Sequence, residues 1–371
     1  MIFKSFLFLS LVTFSYCKQK DAMPPVKIQQ PPDYEWIIRD VNIPWGMTFL
    51  PDGSFLYTEK EGVIFHVKDG LKKEAGRPPE VYNRGQGGLL DIHLHPDFIQ
   101  NKIIYLTMAR QPAGVSGGNT ALVQAVFDGE EINQYKVLYQ ALPLTTAGHH
   151  FGSRIAFDND GYLYFTIGDR GDRDQNPQDT QRDGGKVYRM KADGSIPADN
   201  PFKNEKNETN AVYSFGHRNL QGMTKNPFTG DIWTHEHGPK GGDEINIIKK
   251  GLNYGWPVIT YGVEYSGIPI TDKKSMPGME QPLFYWIPSI APSGMCFVNS
   301  DKYPEWQGSL LVGSLVFEYL ERLVIENGKV VSREKLFENI GRVRNVIQGP
   351  DGYIYVSVEN QGILRIKSKT P

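Results

Sequence analysis

Cysteine is nearly missing from this chain: Cys17 and Cys296 are the only two in 371 residues. They cannot build a disulfide framework, so the fold must rest on packing and hydrogen bonds. An excess of charge is missing as well. Forty Lys and Arg stand against 42 Asp and Glu, for a formal net charge of −2. No global field draws such a chain to nucleic acid or to an anionic membrane. No G-x-G-x-x-G follows a strand pattern, and there is no Walker sequence and no C-x-x-C. These absences exclude a nicotinamide site in a doubly wound fold and a P-loop phosphate cradle. No segment carries the periodicity of a long amphipathic helix.

Glycine (39), proline (25) and aromatic residues (12%) are plentiful, which suits an all-β chain with many turns. One pattern recurs: a turn with Asp or Asn and Gly, then alternating aromatic and aliphatic residues. It reads "PDGSFLYTEK" from 51, "NDGYLYFTIGD" from 159, "FTGDIWTHEH" from 228 and "PDGYIYVSVEN" from 350. Looser copies are "QNKIIYLTMAR" from 100 and "WQGSLLVGSL" from 306. A tight turn followed by such a run marks a strand after a hairpin. Gly53 to Gly352 makes five steps of about 60 residues, a spacing for propeller blades with inserted loops. The expectation is an all-β, six-bladed β-propeller over 34–369, with "YEWIIRDVNIPWGMTFL" supplying a strand that closes the ring. A β-sandwich is the alternative. A propeller gathers loops from distant sequence around one axial mouth.

The N-terminus stands apart. "MIFKSFLFLSLVTFSYC" has one early lysine and an apolar run too short to span a bilayer, the form of a signal peptide over 1–17. Cys17 at its end suggests a lipoprotein site, although Tyr16 is bulky there. The expectation is an exported protein, periplasmic or anchored to the outer membrane through Cys17. Residues 18–33 are polar and proline-rich and read as a flexible tether.

Several polar constellations could carry chemistry. "AGHHFGSRIAF" (147–157) holds adjacent histidines before a strand, and alternation would turn only one of His149 and His150 toward a given pocket. "TIGDRGDRDQN" (166–176) ends the next strand with Asp169, Asp172 and Asp174. A histidine beside an aspartate is a general base of fixed tautomer; a turn cap beside a solvated acidic loop is the alternative. "SFGHRNLQG" places Arg218 and Asn219 at a glycine turn, where an arginine fork suits a carboxylate or oxyanion, or else a surface salt bridge. Arg342 and Arg344 lie two apart, on one strand face, and repel unless they share an anion or face solvent. Gln86 sits between glycines, where backbone can approach a ligand closely or simply turn.

"THEHGPKGGDEIN" (234–246) is the densest stretch. His235 and His237 suggest a His-x-His zinc pair, but no third ligand has convincing spacing. Backbone carbonyls, Glu236, Asp243 and Glu244 make the loop richer in hard oxygen donors, so Ca²⁺ outranks zinc.

Together these motifs resemble the soluble pyrroloquinoline-quinone (PQQ)-dependent aldose sugar dehydrogenases, the glucose/sorbosone dehydrogenase family. "GQGGLLDIHLHPDF", "GSRIAF…IGD", "GHRNLQG", "EHGPKGGDEIN", "GLNYGWP" and "GPDGYIYV" occur in that family's order, from about residue 36 to 368. The resemblance implies a six-bladed propeller that oxidises the anomeric hydroxyl of an aldose to the lactone, with PQQ and Ca²⁺ as cofactors and an external electron acceptor. It implies His150 as catalytic base, Asp169 as its orienting carboxylate, and Arg218 and Asn219 as contacts to the quinone. Gln86, Thr260 and Tyr265 would be further cofactor contacts, and Arg342 and Arg344 would hold the quinone's carboxylates. The carbonyls of Gly238 and Pro239 would bind the Ca²⁺ on the quinone, and Glu244 with Tyr254 a second, structural Ca²⁺. One departure stands out: the family usually has a lysine where this chain has Val316. Its loss weakens the hold on a tricarboxylate unless another group, such as Arg322, substitutes. The rival readings are a Ca²⁺-dependent lactonase working through metal-bound water and a non-catalytic propeller that binds carbohydrate or protein.

Overall fold

In the computed structural model, residues 23–28, 30–203 and 210–368 are described. Six antiparallel sheets of four strands follow one another along the chain. Blade 1 comprises Pro44–Phe49, Phe55–Glu59, Val63–Lys68 and Leu71–Gly76. Blade 2 comprises Leu89–Leu94, Ile103–Arg110, Asn119–Phe127 and Ile132–Gln140. Blade 3 is built from Ile155–Phe157, Leu163–Ile167, Lys186–Met190 and Val212–Phe215, and blade 4 from Leu220–Lys225, Ile232–Glu236, Asp243–Ile247 and Phe284–Trp286. Blade 5 runs through Pro292–Phe297, Leu310–Ser314, Leu320–Glu326 and Lys329–Leu336. Blade 6 takes Val343–Gln348, Ile354–Val358 and Gly362–Ile366 from the C-terminal end and Tyr34–Arg39 from the N-terminal end. The expected closing strand is therefore Tyr34–Arg39, paired antiparallel with Gly362–Ile366.

All six turn-plus-strand signals fall on the second strand of a blade. In five blades every residue of that strand is buried, and in blade 2 only its two end residues are partly exposed. A second strand is covered on both faces by the blades on either side, so its sequence is almost continuously apolar. A separate apolar cluster fills each gap between neighbouring blades; Leu56, Ile64, Leu106 and Val123 fill the gap between blades 1 and 2. Among the described residues helix is limited to one turn at Phe98–Asn101 and a 3-10 turn at Pro304–Trp306. Within 18–33, which the sequence presents as a tether, Val26–Ile28 adds a parallel fifth strand to the outer edge of blade 5. The apolar run of 1–17 and Cys17 lie outside the described residues.

The first strand of each blade lies innermost, and these six strands touch in order around the axis. Five of them carry a bulge near their start. A bulge bends the strand and leaves ladder groups unpaired, and here side chains of the preceding blade bind inner-strand carbonyls. Thr58 donates to Leu90 O, Thr107 to Ser153 O, and Thr166 to Leu220 O (3.3 Å). His235 Nε2 donates to Ser293 O, Ser293 Oγ to Val343 O (2.6 Å), and Ser357 Oγ to Pro44 O (2.9 Å). The circuit is complete: every blade is tied to the next, and the sixth to the first.

Arg154 fills the middle of this ring. It starts from blade 3 and reaches Gln221 O of blade 4 (2.8 Å) and Trp45 O within blade 1's bulge (3.4 Å). It also meets Asp91 Oδ1 of blade 2 (3.3 Å) and Arg344 O of blade 6 (3.1 Å), and it lies over the Trp45 ring. Burial lowers its pKa to about 10, still far above neutral, so the charge persists. Leaving a buried partner charge unpaired costs about 3–5 kcal/mol. Arg154→Met is therefore expected to lower the unfolding free energy by roughly that amount, and adding Asp91→Asn should recover part of the loss; thermal or urea melts of the two variants check both.

Candidate active site at the axial mouth

Inner strands begin, and second strands end, at the same end of the propeller, as the pairings Pro44↔Glu59, Leu220↔Glu236 and Val343↔Val358 show. That end is the mouth where most of the sequence-selected residues gather. His150 lies on the loop before blade 3, with a left-handed backbone (φ 55°) rather than a strand conformation. Strand alternation therefore does not decide which histidine faces inward; the turn at His150 does. Its Nδ1 meets Asp169 Oδ1 at 2.6 Å. Asp169 follows blade 3's second strand, and its carboxylate also accepts from Gly171 N (2.8 Å) and the Trp256 indole (2.9 Å). Burial pushes the Asp169 carboxyl up, but the bond and charge of His150, the Gly171 N–H and Arg218 outweigh it, so its pKa lies below the ordinary value. Burial is also the largest influence on His150, and it keeps the imidazole pKa below its ordinary value despite Asp169. The result is a neutral ring with its proton on Nδ1 and a free lone pair on Nε2, a general base at neutral pH.

Gln86 Oε1 accepts from the His150 N–H at 2.8 Å, so this glutamine also holds the base. Arg218 and Asn219 are both buried. Among the described residues Arg218 makes no salt bridge; its Nη1 donates to His237 O (3.0 Å) and Gly238 O (2.9 Å). Asn219 Oδ1 accepts from Gly152 N at 3.2 Å. Asp172 and Asp174 take the alternative open to them, the first partly exposed and the second exposed, as partners of Arg182 and Arg173.

Arg342 and Arg344 do share an anion, and it is one the motif reading missed. Glu359 accepts Arg342 Nε (2.8 Å) on one oxygen and Arg344 Nε (2.8 Å) and Nη2 on the other. Its signal in the sequence is position: it follows blade 6's second strand as Asp169 follows blade 3's. Thr260 is buried beside Arg218, Gly238 and Glu244, whereas Tyr265 is 71% exposed on a turn. That turn reaches blade 3's acidic loop through Glu264 and Arg173, 2.6 Å apart.

The 234–246 stretch splits by role. His235 and His237 each bond a blade 5 carbonyl, of Ser293 and Pro292, so no His-x-His zinc pair forms. Asp243 accepts from Gly238 N (2.8 Å), Ile290 N (2.8 Å), Ala291 N (3.0 Å) and Ser289 Oγ, which staples the turn to blade 5. Gly241 and Gly242 take φ of 83° and 73°, a bend that costs other residues strain. Glu236 is also committed, to His217 Nδ1 (2.9 Å) and Arg218 N (2.5 Å). Glu244 is the acid left over. It lines a small cavity with Glu236, Gly238, Tyr254 and Thr260, and among the described residues it makes no ion pair. Burial and Glu236 push its pKa well above the ordinary carboxylate value. Asn246 Oδ1 nearby is buried and has no hydrogen-bond partner among the described residues. Tyr254 uses its phenol on Ile247 O (2.7 Å) and Lys249 N (2.9 Å), so only its backbone carbonyl is available. Two carboxylates and several carbonyl oxygens against the single guanidinium of Arg218 fit a hard cation. The Gly238 carbonyl keeps a second lone pair beyond Arg218. Among the described residues no group of three or more His, Cys, Asp or Glu is arranged around a metal, so donors must come largely from the backbone.

Comparison with known proteins places this geometry. The family model described as Glucose / Sorbosone dehydrogenase matches residues 41–365. The chain is 40% identical over 320 residues to the aldose sugar dehydrogenase YliI of Escherichia coli, covering 84% of this chain and 86% of the relative. A crystal structure of a glucose dehydrogenase superposes with a TM-score of 0.86 at 38% identity, over 91% of this chain and all of the other. The PQQ-bound aldose sugar dehydrogenase of Streptomyces coelicolor superposes with a TM-score of 0.75 at 28% identity, over 93% and 99%.

If Glu244 serves a cation, Ca²⁺ will raise the melting temperature of the metal-stripped protein and Mg²⁺ will raise it less. Glu244→Gln should lose most of that rise, yet in chelator melt no lower than wild type, because the repulsion with Glu236 is gone.

Proposed function

The chain belongs to the glucose/sorbosone dehydrogenase family, and on that premise we propose that it oxidises aldose sugars at the anomeric carbon to the lactone with PQQ and Ca²⁺. The observation that carries this reading is the His150–Asp169 pair at a mouth whose other side holds two arginines on one glutamate. The arginines, Arg218 and the carbonyl-rich turn suit a flat, anionic, metal-binding quinone. Bound there, PQQ with its Ca²⁺ supplies the acceptor for the hydride. Everything else falls to this chain. His150 takes the anomeric hydroxyl proton on Nε2, because Asp169 holds Nδ1. Asp169, itself fixed by Trp256 and Gly171, stabilises the imidazolium that results. Arg218, fixed by two carbonyls, places positive charge where oxygen charge develops. Gln86 and Asn219 fix the loops beside the base. The electrons pass on to an external acceptor.

The same proposal includes export, with lipid attachment at Cys17; Cys17→Ser should move the protein from the membrane fraction to the soluble one.

The experiment is reconstitution of residues 18–371 with PQQ and Ca²⁺, read as dye reduction across a panel of aldoses. Turnover should need both additives and fall by about 10²–10⁴-fold in His150→Ala. The base must be neutral and its pKa lies below 6.5. The kcat/KM profile should thus fall on the acid side with its midpoint below the ordinary imidazole value of 6.5. Turnover with Ca²⁺ alone would point to the lactonase reading instead.

A further inference from the structure

Five of the six blades repeat one corner at the mouth. A residue at the end of the second strand or just past it donates its N–H to the carbonyl just before the inner strand. Lys60 donates to Ile43 O, Ala109 to Gly88 O, His237 to Asn219 O, Leu315 to Ala291 O and Glu359 to Arg342 O, at 2.8–3.2 Å. These five residues are structurally equivalent. In blades 6 and 4 the corner side chains, Glu359 and His237, already belong to the site. Blade 5 offers only Leu315, followed by Val316, which is 55% exposed, and Phe317. Leu315 O accepts Arg342 Nη1 at 2.9 Å, so Val316 lies beside the twin arginines without adding charge. Arg322 does not replace it: its guanidinium is closed onto Glu334 at 2.8 and 3.0 Å.

Lys60 is the cation among these corners. Its side chain runs past Gly88, where a Cβ would lie 2.7 Å from Lys60 Cγ, and its Nζ donates to Asn83 Oδ1 at 2.7 Å. It is half-buried, and Arg344 and Glu359 of the next blade act on its charge. Two guanidiniums against Glu359 leave one net positive charge for a tricarboxylate. Asn83 is a neutral, exposed partner that an incoming carboxylate can displace.

We propose that Lys60 is a cofactor-binding residue, the third cation of the anion cradle formed with Arg342 and Arg344. The inference rests on the quinone reading above. It assigns to blade 1 the charge that blade 5 does not supply. The lysine binds a carboxylate and takes no part in proton or hydride transfer.

The test is equilibrium binding of PQQ to the Ca²⁺-loaded full chain, by calorimetry or tryptophan quenching. Lys60→Met should weaken binding roughly 10- to 100-fold, the range for a hydrogen bond to a charged group. Lys60→Arg should weaken it by less than about threefold, and Val316→Lys should restore part of the affinity of Lys60→Met. The trimethyl ester of PQQ, which carries no carboxylate charge, should bind wild type and Lys60→Met alike. Equal PQQ affinity of wild type and Lys60→Met, or equal losses for PQQ and its ester, overturns the assignment while leaving the quinone reading intact. A wild type that binds no PQQ with Ca²⁺ overturns both.

Discussion

The structure depends on the axial ring of inner strands. Six inner strands, five of them bulged, cannot satisfy all their own backbone groups, and the solution is circular: a hydroxyl or imidazole of one blade bonds a carbonyl of the next. Arg154 crosses the centre and bonds carbonyls of blades 4, 1 and 6 and a carboxylate of blade 2. A buried guanidinium is expensive unless its donors are used, and here they are. The ring fixes the starts of the inner strands, and the mouth is made from those starts. The contact between Arg154 and Arg344 O joins the centre of the fold directly to the arginine pair.

Repetition then divides the labour. One corner geometry recurs in five blades, and each blade fills it with a different side chain. The charges that result are paired so that each group keeps one free face. His150 gives Nδ1 to Asp169, Arg218 gives one nitrogen to two carbonyls, and the twin arginines share Glu359. Such pre-positioning means little reorganises when a charged ligand arrives. The Gly238 turn follows the same logic, with Asp243 spending its oxygens on N–H donors so that carbonyls are left facing the cavity.

The fold was legible because its cause is local and repeated. A second strand covered on both faces must be apolar, and a hairpin before it needs a turn residue, so "PDGYIYVSVEN" announces a blade by itself. The site was legible in part. His150, Asp169, Arg218 and the arginine pair stand out by residue type, and the demand that two guanidiniums share an anion follows from charge alone. The identity of that anion, Glu359, does not. Nor do the Trp256 indole on Asp169, 87 residues away, or Asp243 as a staple rather than a ligand. Each needs knowledge of which strand ends meet. The reason that His150 is the one to hold Asp169 was not legible either, because a left-handed turn at His150, not strand alternation, sets its direction.

The sequence by itself determined the all-β class, the six repeats, the closing strand and the kinds of groups available for chemistry. These follow from nearest-neighbour physics: turn preferences, period-two burial and charge. Only the tertiary structure decided which groups face one another. In a propeller the mouth gathers one short segment from each blade, some 60 residues apart, and the ring closure alone sets their register. That is why Glu244, rather than Glu236 or Asp243, is the acid held, among the described residues, only by a long bond from Asn246 (3.4 Å), and why Lys60, unremarkable in sequence, takes the blade 1 corner that Glu359 takes in blade 6.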